Sequence, residues 1–184
     1  MTLKRGFKAS AERDATRLRA EMGLRASAPL DPGQVAAHLG VKVVSADELV
    51  PLAQLEDLER LQAFAFSAAT FDIGERKFIV TNPLRSTGRR NSDMAHELAH
   101  ILLNHELAEI REVAGVPFRT CRPDEEEEAT TFGGTLLLPR PLLLAAAKAQ
   151  STPHDIADRY GVTVEMATYR FNATGVARQA SRVR

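Results

Sequence analysis

Ala95-His96-Glu97-Leu98-Ala99-His100-Ile101-Leu102-Leu103-Asn104-His105 is an apolar stretch that contains one His-Glu-x-x-His. Four residues apart on a helix, His96 and His100 leave the same face and can share one metal ion. Glu97 lies about 100° round that helix, beside the metal but off its ligand row, where it can hold a water and take its proton. Met94, Leu98, Ile101 and Leu102 form an apolar stripe, with Ala99 and Leu103 towards the histidine side. A helix apolar nearly all round belongs in the centre of a fold. The alternative is a buried helix with two hydrogen-bonded histidines and no metal.

The chain around this stretch has 184 residues, 44% hydrophobic and 26% charged, with no net charge. That suits one globular domain and gives no overall field for nucleic acid or membrane. Charge is unevenly placed, however. Residues 1–25 hold seven Lys/Arg against three acids, and residues 169–184 hold four Arg and no acid. Lys4, Arg5 and Lys8 are followed by Ala-Glu-Arg-Asp where a signal peptide needs its apolar region, and no run reaches the ~18 apolar residues of a membrane span. With one cysteine, no intrachain disulfide can form, and a cytoplasmic location is expected. Cys121 reads as an ordinary lone cysteine rather than a redox thiol or an extra ligand.

Upstream, residues 9–23 form an amphipathic helix, and Asp31-Pro32 cap and start a short one that Gly40 ends. Val41–Val44 is strand-like, and Leu52–Leu61 has helical spacing at Leu55, Leu58 and Leu61. Residues 63–71 and 76–81 are expected as two strands joined by a turn at 72–75, with Phe64, Phe66, Phe78 and Val80 on the buried face. The strand at 76–81 is also the one expected to offer its edge to an extended peptide. Residues 82–90 form a loop, and Asn91 or Ser92 caps the histidine helix.

Downstream, Gly115-Val116-Pro117 breaks the chain. A helix begins near Pro123-Asp124, with acids in its first turns, and runs to about Leu138. Others follow at about 141–150, 152–160 and 163–173. The fold class is therefore α+β: one mostly helical domain with a small, about three-stranded sheet. Residues 151–175 read helix, Gly turn, helix, a helix-turn-helix-like pair packed on the body at 1–150, and residues 176–184 are a frayed basic tail. In this pair Arg170 and Asn172 are the only evident base-reading side chains, so nucleic-acid binding is the less favoured reading.

A catalytic zinc site needs three protein ligands and an open position. His105 points about 140° away from His100 on a continuing helix and is a poor ligand; it reads as a cation near a helix C-terminus. The metzincin continuation fails, because Leu103 and Glu106 stand where Gly and His are required. Glutamates 125–128 on the next helix remain. Helical phase favours Glu125, in line with Ala129, Phe132 and Leu136, yet periodicity does not choose between Glu125 and Glu126.

The two segments Ala95-His-Glu-Leu-Ala-His-Ile-Leu-Leu and Glu126-Glu-Glu-Ala-Thr-Thr-Phe-Gly-Gly-Thr-Leu-Leu-Leu-Pro139 resemble the paired motifs of the ImmA/IrrE metallopeptidases. Ser67-Ala-Ala-Thr-Phe and Ile79-Val-Thr-Asn-Pro83 resemble that family's strands, so the likeness spans roughly residues 30–175. The resemblance implies a zincin-like body at 1–150 with Zn2+ on His96, His100 and Glu126, and Glu97 as catalytic base. It further implies a zinc endopeptidase that cleaves a helix-turn-helix (Xre-type) repressor in stress response or mobile-element induction. Thr130 departs from the family's Asn or Asp and can orient a ligand histidine only more weakly. Gly133-Gly134 replace small alanines. For the oxyanion, Arg85, Arg89, Arg90, Tyr160 and Tyr169 are candidates, none of them specific. The rival readings are a DNA-binding or protein-interaction regulator with a structural zinc, and an interaction protein with slow or lost proteolysis.

Overall fold

The computed structural model describes residues 3–63, 66–73, 76–106, 110–113, 116–119 and 122–181. Two helices that run past each other form its axis: α4 (Thr87–Leu102) and α5 (Pro123–Leu137). Ala95, Leu98 and Ala99 of α4 meet Ala129, Phe132 and Leu136 of α5, all 3% exposed or less. The small residues let the backbones approach closely. A Cβ added at Gly133 would lie 2.8 Å from the Ala95 carbonyl oxygen.

On one side of α4 lies a mixed three-stranded sheet of β1 (Lys42–Ser45), β2 (Ala68–Ile73) and β3 (Arg76–Thr81), in the order β1-β3-β2. β3 is central, parallel to β1 and antiparallel to β2. It therefore cannot offer the edge to a peptide that was expected of it; β2, like β1, has an outer edge that no described strand pairs. The buried face is also the opposite of the expected one. Ile79 and Thr81 are buried, whereas Phe78 and Val80 are only half-buried. Thr70, opposite Ile79, shares that inner face. The aromatic residues suggested the wrong parity because two inward positions carry hydroxyls, which hydropathy alone assigns to solvent. Phe64 lies outside the described residues, as does Cys121.

α5 packs against α1 (Phe7–Glu21), and α2 (Pro32–His38) packs against α4 and β1. Asp31 accepts a hydrogen bond from the Gly33 amide, the expected cap. α3 (Leu52–Leu61) forms where the leucine spacing requires it. A two-stranded hairpin, β4 (Ile110–Val113) with β5 (Val116–Arg119), connects α4 to α5; the sequence pattern showed only a break there.

After α5 come α6 (Arg140–Lys148), α7 (Pro153–Tyr160), α8 (Val164–Thr174) and α9 (Val176–Ser181). Thr152 and Thr163 cap α7 and α8, and Gly161 makes the turn between them at φ 61°. The expected frayed tail is helical as far as Ser181, because Val176 is fully buried and α9 packs on α6.

Two buried arginines close the C-terminal end of α5. Arg19 donates to the carbonyls of Leu136, Leu137 and Ala28, and Arg170 to that of Leu138. The carbonyls of Leu136, Leu137 and Leu138 are acceptors that the end of α5 leaves unsatisfied. Burial pulls the Arg19 guanidinium down to about 10. The result is a mostly helical α+β domain. Among the described residues no helix is long and apolar enough to cross a membrane.

Candidate metal centre

α4 starts five or six residues earlier than expected. Ser86, not Asn91 or Ser92, is its cap and accepts from the Arg89 amide. Asn91 lies inside the helix and donates to the Gly161 carbonyl, tying α4 to the α7–α8 turn. This longer helix presents His96 and His100 one turn apart, with their Nε2 atoms 3.1 Å from each other.

The opening turns of α5 cross that pair. Glu126 Oε2 lies 3.2 Å from His96 Nε2, and Oε1 lies 3.5 Å from His100 Nε2. One donor atom from each of the three residues falls within 4.8 Å of the other two. Glu125, which helical phase favoured, instead pairs with Arg122 at 3.2 Å. Two imidazole nitrogens and one carboxylate form a donor set that suits zinc and other borderline divalent ions. His96, His100 and Glu126 could thus hold a metal ion; their donors converge from two rigid helices, and the side chains are half-buried or buried.

Glu97 stands beside this set. It is 3% exposed, and the Thr70 hydroxyl of β2 donates to its Oε2 at 2.6 Å. Spacing within α4 could not disclose Thr70, which is 27 residues away and reaches Glu97 only because the sheet's inner face carries a hydroxyl there.

His105 departs from its expected place. The chain leaves the helix after Leu102, Asn104 takes a left-handed φ of 54°, and the His105 amide donates back to the His100 carbonyl at 3.0 Å. The expected angle assumed a helix that continued. His105 instead folds behind His100, Nδ1 to Nδ1 at 3.0 Å, with its Nε2 3.3 Å from Glu128 Oε2. Thr130 Oγ1 lies 3.5 Å from Nδ1 of His96, a long contact from an exposed hydroxyl.

A cleft of about 520 Å³ opens over His96 and Glu97. Ser67 and Ala68 at the start of β2 line one side, and Thr163, Glu165, Met166 and Tyr169 of the α8 region line another. Of the oxyanion candidates, Tyr169 and Arg89 line this cleft. Arg85 is engaged with Glu59 and the Phe66 carbonyl, and Tyr160 is buried in the core. Arg170, expected as a base-reading side chain, is 5% exposed and bound to Glu12 and Leu138.

The Peptidase_M78 family model, described as the IrrE N-terminal-like domain, matches residues 34–172. Among solved structures, a Mycobacterium tuberculosis transcriptional regulator is similar in fold, with a TM-score of 0.55 at 20% identity. The likeness covers 88% of this chain and 46% of that one, so the chain spans less than half the length of this relative. No curated protein matches the chain.

Proposed function

The chain belongs to the Peptidase_M78 family of IrrE N-terminal-like domains, and on that premise we propose that it is a zinc-dependent endopeptidase cutting a protein substrate in the cleft over Glu97. The observation that carries this reading is a buried carboxylate, outside the metal-competent set and held by Thr70, lining the same open cleft as His96. A purely structural metal has no need of such a group.

His96, His100 and Glu126 would hold the zinc, which would supply Lewis-acid polarisation of the peptide carbonyl and of a water. Glu97 takes a proton from that water as its oxygen adds to the carbonyl carbon. The same carboxyl then gives the proton to the amide nitrogen as the C–N bond breaks, leaving a carboxylate and an amine. Thr70 holds Oε2 of Glu97 through both transfers. The unpaired edge of β2 begins at the cleft wall, so an extended substrate segment can add there as a strand.

For the substrate, the family resemblance supports a helix-turn-helix (Xre-type) repressor, cut in the cytoplasm during stress response or mobile-element induction. The second reading, a regulator with a structural zinc, draws on the similar solved structure being a transcriptional regulator. Against it, Arg170 is spent on capping α5, and α8 turns three side chains to the cleft.

The test mixes the zinc-loaded protein with the helix-turn-helix protein and follows discrete cleavage. Glu97→Gln is expected to lower the rate by at least about 100-fold while zinc content and fold persist. A Glu97→Gln variant as active as the parent overturns the peptidase reading.

A further inference from the structure

The side of His100 that faces away from the cleft carries an arrangement that peptide hydrolysis by itself does not call for. A histidine that binds metal through Nε2 carries its proton on Nδ1. For His100 that N–H faces Nδ1 of His105 at 3.0 Å. Nδ1 of His105 must then be the acceptor, which puts the His105 proton on Nε2, 3.3 Å from Glu128 Oε2. Both supporting side chains are buried, His105 at 6% exposure and Glu128 at 10%. Lys4 meets the other Glu128 oxygen at 3.3 Å from the surface side. The order of donors and acceptors is consistent along the whole chain: imidazole to imidazole to carboxylate.

The backbone also bends to make this possible. Asn104, a non-glycine residue, adopts a left-handed φ so that His105 folds back instead of following the helix outward. Among the described residues His96 has no comparable support: its Nδ1 meets the exposed Thr130 hydroxyl at 3.5 Å. The two ligand histidines are therefore held unequally, one by a buried charged chain and one by a surface hydroxyl.

We propose that His105 and Glu128 are positioning residues of the metal centre: they fix His100 in the tautomer and orientation that bind metal through Nε2, and so raise metal affinity. The inference rests on His96, His100 and Glu126 being the metal site, and not on the peptidase reading.

The experiment titrates metal-free protein with zinc against a chromophoric chelator, and records cobalt spectra of the same variants. His105→Ala is expected to weaken zinc by about 10- to 100-fold. His105→Asn, whose Oδ1 can take the place of Nδ1 as acceptor, should recover most of that loss without rebuilding the contact to Glu128. His105→Leu, which fills the space without offering an acceptor, should not recover it. Glu128→Gln keeps the shape and removes the charge, and should weaken zinc several-fold and shift the cobalt d–d bands. It also serves as the probe if His105→Ala fails to fold. The proposal is overturned if Glu128→Gln binds zinc within twofold of the parent with an unchanged cobalt spectrum, or if His105→Asn binds no better than a folded His105→Ala. His100→Ala separates the two levels. Parent-like zinc binding by His100→Ala removes the metal site itself, whereas zinc lost in His100→Ala but kept in His105→Ala and Glu128→Gln removes only the positioning role.

Discussion

Gly133 and Ala95 meet backbone to backbone: a Cβ on Gly133 would lie 2.8 Å from the Ala95 carbonyl oxygen and 3.0 Å from the His96 amide nitrogen. No flexible side chain is there to give way, so α4 and α5 must separate to admit one. Gly133→Ala is expected to cost about 1–3 kcal/mol, a fall of several degrees in Tm. It should also weaken metal binding, since the two helices carry opposite halves of the donor set. Gly134→Ala meets mainly the Arg170 side chain at 3.1 Å and should cost less. Thermal melts and zinc titrations of the pair check both statements; equal, negligible effects would show that the close approach does not matter.

Thr70 is expected to act through Glu97. Thr70→Val keeps the shape and removes the donor to Oε2, and hydrogen bonds to charged groups are worth about 1.5–3 kcal/mol. Cleavage should fall roughly 10- to 100-fold with zinc content intact, and Thr70→Ser should restore most of it. Undiminished turnover in Thr70→Val rules the role out.

Arg170 separates the peptidase and regulator readings. Its guanidinium holds the Leu138 carbonyl and Glu12 from a buried position. Arg170→Ala should therefore destabilise the fold by about 2–4 kcal/mol, because both acceptors lose their donor. Arg19→Met should behave alike, exposing three carbonyls at once. A sequence-specific, salt-dependent DNA affinity that falls in Arg170→Ala at unchanged Tm would favour the regulator instead.

The cap of α7 gives a pH signature. Hydrogen bonds from the Thr152 amide and then its hydroxyl, each 2.7 Å long, hold the Asp155 carboxyl below its ordinary range. A carboxyl whose folded pKa is lowered contributes stability above its unfolded value and loses it as pH falls through the folded one. The Tm difference between parent and Asp155→Asn should thus be present at neutral pH and shrink as the pH falls through the acid range. A difference that stays constant over that range rules out the charged cap.

What the sequence disclosed and what it hid follow from how each interaction is encoded. His96, Glu97 and His100 share one helix, so spacing alone places them, and caps such as Asp31, Thr152 and Thr163 act within three residues. Glu126 meets the two histidines only because a second helix docks in one orientation, and helical phase, though it favoured Glu125, did not choose between the two. Thr70 and Arg19 bond across 27 and more than 100 residues. No local pattern marks them, and a threonine in a strand or an arginine in a basic helix reads as solvated. His105 was hidden by one backbone torsion at Asn104, because helical geometry describes a residue only while the helix continues.

The outer edge of β2 has a consequence for the molecule in concentrated solution. Its outer N–H and C=O groups, which no described strand pairs, carry no address, and would accept a strand from a second copy on the same terms as one from a guest. Ala68-Ala-Thr-Phe-Asp-Ile73 has one charged residue, Asp72, which pairs with Lys77, and its Phe71 is 40% exposed. The edge proposed to take a substrate strand is therefore also a place where self-association would begin, with Asp72 the one charge in the strand to resist it.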